Sequence, residues 1–87
     1  MPLNFSNQSR SYDATRLAVR FYGYDGAMEA SFFVVQDALS KLAGCGVAGE
    51  SEGLAMFDAN RGRIYEVAAT VYGKGRKGSY ELVDSDF

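Results

Sequence analysis

The chain has 87 residues, a net charge of −2 and 47% apolar residues, among them six Tyr and six Phe. That is one domain's length with enough apolar surface for a core, which excludes a disordered tail. The acidic balance argues against duplex nucleic acid, whose binders carry a basic footprint. The single cysteine, Cys45, excludes an internal disulfide and fits a reducing compartment.

In chain order, "MPLNFSNQSRSYD" has no apolar stretch behind basic residues, so no signal peptide is expected. No run approaches the ~20 apolar residues of a membrane span, and the expected location is cytoplasmic. "SRSY" predicts a short strand, followed by a turn at Asp13 to Thr15. "LAVRFYGYDGAMEASFFVV" predicts a hairpin, because two alternating runs flank Asp25-Gly26, a favoured pair for a type I′ turn. That turn would set Tyr24 opposite Ala27, Tyr22 opposite Glu29, Arg20 opposite Ser31 and Val19 opposite Phe32. Leu17, Val19, Phe21, Met28, Ala30, Phe32 and Val34 then share an apolar face. Arg20, Tyr22, Glu29 and Ser31 share the other, with Ala18 and Phe33 near its open end.

"QDALSKLAG" predicts a short helix, with Asp37 in its first turn and Gly44 just past its last. Residues 44–53, glycine-rich and without periodicity, predict a flexible connector inside a single domain spanning 1–87. From Ser51 to Tyr72, Leu54, Phe57, Ile64, Val67, Ala68 and Val71 fit a helical stripe, although Tyr65, Val67, Ala69 and Val71 also alternate as in a strand. A helix is favoured by Ser51 as N-cap and by the helix-spaced pairs Asp58–Arg61 and Arg63–Glu66. One unbroken helix would run ~33 Å, so a bend near Gly62 or a projecting end is expected. "GKGRKG" at 73–78 follows this helix and precedes a closing strand in "SYELVDSDF".

Several of these stretches, "NQSRSYDATR", "AVRFYGYDGAMEASFFV", "DALSKL", "FDANRGRI" and "GSYELVDSDF", in this order resemble a family of small bacterial proteins known as domain of unknown function 1488. The resemblance implies an α+β fold of three N-terminal strands, two helices and a closing strand, and so supports the helix over 51–72. It implies no activity and assigns no catalytic residues. The expected architecture is therefore an antiparallel sheet in the order β-β-β-α-α-β, with the Leu17/Val19/Phe21 face on the helices.

Candidate chemistry is sparse. There is no histidine to serve as a general base near neutral pH. Cys45 has no visible activating base. Asp84 and Asp86 lack the ligand number a metal needs, and "DANRG" at 58–62 fails as a calcium loop because Ala69 stands where a bidentate Glu belongs. No cofactor is expected. "GKGRKGS" is not a phosphate-binding P-loop, since Ser79 follows Gly78 directly. Lys74, Arg76 and Lys77 suit a helix C-terminus, and they also form the chain's one candidate anion site, for a single strand or a nucleotide phosphate. Arg61 stands within the apolar stripe and either pairs with Asp58, the favoured reading, or binds something anionic itself. Tyr22, Tyr24 and Phe33 lie off the apolar face, and domains of this size often cover such surfaces with a second copy. The expectation is a non-enzymatic, self-associating binding or adaptor protein, probed first as a homodimer. The alternative is weak nucleic-acid or nucleotide-phosphate binding through 73–78.

Overall fold

The computed structural model describes residues 3–6, 8–75 and 79–87. Strand β1 (Arg10–Asp13) leads into the long hairpin of β2 (Ala18–Asp25) and β3 (Met28–Val35). Helices α1 (Gln36–Ala43), α2 (Gly49–Ala59) and α3 (Arg61–Gly73) follow, then strand β4 (Ser79–Leu82) and a 3₁₀ turn at Asp84–Asp86. The sheet order is β1-β2-β3-β4. The α+β class is as expected, but the segment from 51 to 72 forms parts of two helices, giving three in all.

The break lies at Asn60, not Gly62. Asn60 N–H donates to the carbonyls of Met56 and Phe57 at 3.1 and 3.2 Å, and Asn60 Nδ2 donates again to Met56 O at 3.0 Å. A short amide side chain that competes for the backbone in this way ends a helix. Its own carbonyl then accepts from Ile64 N–H and starts α3. The start of α2 also differs. Ser51 lies inside the helix, Ala48 takes the cap position, and Glu52 reaches back to accept from Ala48 N–H at 3.0 Å. The second half of the expected connector is thus the first turn of α2. The end of α1 is as expected, with Gly44 left-handed at φ 74°.

The sheet is mixed, not antiparallel. β1, β2 and β3 form an antiparallel meander, while β4 runs parallel to β3. The three helices carry the chain back before β4 begins, the kind of long crossover a parallel pair requires. The closing strand is also shorter than expected, because Val83 N–H donates to Asp86 Oδ2 and the chain turns at Asp84.

The hairpin turns one residue later than the Asp-Gly pair suggests. Asp25 stands opposite Met28, and Gly26-Ala27 form the loop. Only Gly26 has positive φ, at 63°, as in a type II′ turn. A type I′ turn on Asp25-Gly26 would force Asp25 into the left-handed region, at roughly 1–2 kcal/mol for a residue with a Cβ. The pairs are therefore Tyr24–Glu29, Tyr22–Ser31, Arg20–Phe33 and Val19–Val34. Moving the turn by one residue on both strands shifts the pairing by two and preserves which side chains share a face.

Helices and sheet meet through one core. Val19, Phe21, Ala30, Phe32, Val34, Tyr80 and Leu82 from the sheet pack on Leu39, Phe57, Ile64, Val67 and Ala68. A rung of residues crosses the covered face, with Arg10, Phe21, Phe32 and Tyr80 side by side on successive strands. Phe21 and Phe32 stack at 5.2 Å, Phe32 and Tyr80 at 5.0 Å, and Phe57 closes over Phe21 at 5.1 Å. Leu17 and Met28 do not join this face. Leu17 precedes β2 with φ 52° and is 50% exposed, and Met28 at the hairpin tip is 62% exposed. The Asp13 carboxylate accepts from the N–H groups of Thr15 and Arg16, which tightens the turn and takes Leu17 out of the strand.

Candidate interaction face

The helices cover one side of the sheet and leave the other uncovered. Alternation along β2 places Arg20, Tyr22 and Tyr24 on the uncovered side, and the pairing adds Glu29, Ser31 and Phe33 from β3. A second rung crosses this side from Ser11 through Arg20 and Phe33 to Glu81. The structure therefore brings the expected interface residues Tyr22, Tyr24 and Phe33 onto one surface.

The two sexes of side chain on this surface, cationic and aromatic, interlock. The Arg16 guanidinium lies 4.2 Å from the Phe33 ring centre, and that of Arg20 lies 5.5 Å from Phe33 and 5.1 Å from Tyr22. Such stacking attracts by about 0.5–1 kcal/mol at exposed sites. Arg20 Nη2 also donates to Ser31 Oγ at 3.2 Å, whereas Arg20 Nε is buried with no hydrogen-bond partner among the described residues. Stacking, more than hydrogen bonding, holds this guanidinium. As a result Phe33 is only 6% exposed, where its position on the outer face suggested an open ring. Tyr22 and Tyr24 are half-buried. Tyr24 OH donates to Glu29 Oε2 at 2.9 Å, placing a carboxylate at the hairpin end of the face. Glu29 therefore lies at the hairpin end of the face, and Glu81, in the row of Arg20 and Phe33, puts a second carboxylate near the cations.

Of the candidate anion-binding residues, the two that are described, Arg61 and Lys74, stand apart. Arg61 opens α3 and Lys74 follows its last residue, about 20 Å apart along a helix of this length. Arg76 and Lys77 lie outside the described residues. Arg61 is engaged as the helix spacing predicts, with Nη2 donating to Asp58 Oδ1 at 2.7 Å. Its Nη1 donates to Tyr65 Oη at 2.7 Å and to Gln8 O at 3.1 Å. Arg63 and Glu66 stand 3.9 Å apart.

Asp58 has a second partner that the sequence does not announce. Arg10, at the end of the covered rung, grips it through two bonds, Nε to Oδ1 at 3.0 Å and Nη2 to Oδ2 at 2.7 Å. The hydrogen bonds from Arg10, ahead of those from Arg61, hold the Asp58 carboxyl below its ordinary pKa, and Asp58 in turn raises that of Arg10. With both cations already facing a carboxylate, this cluster fastens β1 to the α2–α3 junction.

A family model described as a protein of unknown function, DUF1488, matches residues 3–83. The chain belongs to this family. Comparison with curated proteins finds no match. Among solved structures, the chain is similar to a DUF1488 family protein of unknown function from Shewanella loihica PV-4, with a TM-score of 0.81 and 20% identity over 93% of this chain and 91% of that one. At that identity the likeness concerns the fold alone. Among the described residues no helix is long and apolar enough to cross a membrane.

Proposed function

We propose that this DUF1488 chain is a small non-enzymatic binding module that works as a homodimer, with the uncovered sheet face as the contact between copies. The observation that carries this is the asymmetry of the sheet: three helices close one side, and the other presents Tyr22, Tyr24 and a guanidinium-capped Phe33. Aromatic and arginine side chains are the types enriched where proteins meet.

Arg20 and Glu29 also stand in different rows of the face. A two-fold axis along the Tyr22–Ser31 rung would set the Arg20–Phe33 row of one copy against the Tyr24–Glu29 row of the other. Each copy would then offer its cations to its partner's carboxylate, as an isologous interface requires. The absence of histidine from the chain supports a binding role over acid–base catalysis.

Light scattering at tens of micromolar should give twice the 9.5 kDa chain mass. Tyr22→Glu, which places a carboxylate at the centre of the face, should return the mass to that of one chain while leaving the thermal unfolding of the monomer intact. A wild-type monomer at that concentration would overturn the proposal.

A further inference from the structure

The two arginines of the uncovered face are not equivalent. Arg16 belongs to the turn before β2, and its side chain is 50% exposed. Asp13 fixes that turn. Its Oδ1 accepts from the N–H groups of Thr15 and Arg16 at 3.0 and 3.1 Å, and its Oδ2 lies 3.6 Å from Arg16 Nε. The Arg16 guanidinium reaches across to β3, 4.2 Å from the Phe33 ring centre. Arg20 starts from β2 and lies nearer Tyr22 than Phe33, at 5.1 against 5.5 Å, with Nη2 donating to Ser31 Oγ.

The rows of the face decide what each arginine would meet. Side chains on one face of a strand recur at every second residue, roughly 7 Å apart. On β3 they are Glu29, Ser31 and Phe33, and on β2 Tyr24, Tyr22 and Arg20. A two-fold axis along the Tyr22–Ser31 rung exchanges the outer rows and keeps each strand opposite its own copy. Phe33 then faces Glu29 of the second copy, and Arg20 faces Tyr24. Arg16 lies at the Phe33 position, so it is the arginine that the exposed Glu29 carboxylate of the second copy would meet. The neighbouring registers set like charges together. An axis on the Arg20–Phe33 rung brings Arg16 against Arg16, and one on the Tyr24–Glu29 rung brings Glu29 against Glu29, contacts that cost binding. Glu81 stands beside Phe33 on β4, and among the described residues no ion pair joins it to Arg16 or Arg20.

We infer that Arg16 is the specificity-determining residue of this face: stacked on Phe33, its guanidinium is the seat for Glu29 of a second copy. The inference rests on the uncovered face being the contact between copies. Two such contacts form in each dimer, one on either side of the axis. Charge pairs of this kind select partner and register more than they add affinity.

The test is charge reversal on the full chain, with mass read by light scattering and folding by circular dichroism. Arg16→Glu alone sets two carboxylates together at both contacts of a dimer, and Glu29→Arg alone sets two arginines together. Each variant should dissociate roughly ten-fold more readily than wild type, or more. In an equal mixture one contact is wild type and the other is the same pair reversed, so a heterodimer of doubled mass should reappear. An Arg16→Glu variant as dimeric as wild type overturns the inference. So does a mixture of folded variants that stays monomeric, which would assign the effect of Arg16→Glu to Glu81 on its own sheet. With a dimeric wild type, either result leaves the homodimer reading standing, whereas a monomeric wild type overturns both. If Arg16→Glu does not fold, Arg16→Gln and Glu29→Gln take its place. Each should weaken the dimer, and the double variant should be no weaker than the weaker single one. Additive losses overturn the inference.

Discussion

The two faces of the sheet solve the same problem by different chemistry. On the covered side, β2, β3 and β4 each contribute a ring to one rung, and Phe57 on α2 caps it from above. Burial there is apolar on apolar, and Phe21, Phe32 and Phe57 are at most 1% exposed. On the uncovered side one ring, Phe33, is buried almost as well beneath the guanidinium groups of Arg16 and Arg20. Arginine can shield an apolar ring in this manner because its stem and guanidinium plane are weakly hydrated. A ring fixed among other rings has no escape when it is cut away, whereas a ring under two arginines has a cover that can move. The covered face therefore stores stability, and the uncovered face is the surface proposed above as the contact between copies.

That difference can be broken most forcefully at Phe57. Phe57→Ala should destabilise by ~3–5 kcal/mol, because the surrounding rings cannot collapse into the void. Chemical denaturation measures it. Phe33→Ala should cost less, about 1–2 kcal/mol, since Arg16 and Arg20 can swing toward water or onto Tyr22 when the ring is gone. Equal losses at the two positions would mean that the arginine cover is as rigid as a core. The same Phe33→Ala variant should weaken self-association, a readout that Phe57→Ala does not share at temperatures where both are folded.

The smallest effect concerns the fastening between the faces' supporting elements. Asp58→Asn removes the carboxylate that joins Arg10 of β1 to Arg61 of α3, on groups that are substantially solvent-exposed, so its effect should fall below either ring deletion. The sign of its pH dependence is fixed. The folded protein holds Asp58 below its ordinary pKa, so the pair's contribution is fully present above about pH 4, the unfolded carboxylate's range, and is lost as pH falls through the lower folded value. Wild type and Asp58→Asn should therefore differ in thermal midpoint at neutral pH and converge in acid. A gap that does not shrink as pH falls below the ordinary carboxylate range would assign the effect to packing and not to charge.

Much of the architecture was visible in the chain. The alternation in β2 and β3 identifies both faces, and it does so even though the turn sits one residue away from the place Asp25-Gly26 suggests, because parity survives that shift. Gly44 marks the end of α1 for a purely local reason, its left-handed φ. The features that were not visible depend on distant partners or on close competition. Asn60 wins over Gly62 as the helix break through a side-chain hydrogen bond to Met56. The parallel sense of β4 depends on where three helices return the chain. Of the surface, Tyr22, Tyr24 and Phe33 follow from parity, while Arg16 over Phe33 depends on a turn in which Leu17 takes positive φ. The grip of Arg10 on Asp58 joins residues 48 apart in sequence and carries no local signal.

The most direct measurement is an isotope-filtered nuclear Overhauser experiment on a mixture of labelled and unlabelled chains, which detects contacts only between copies. The uncovered sheet face as homodimer contact predicts cross-peaks from the rings of Tyr22, Tyr24 and Phe33 to one another and to the Glu29 side chain of the partner copy. Cross-peaks confined to side chains of α1, α2 or α3, or none at concentrations where the mass is doubled, would contradict it.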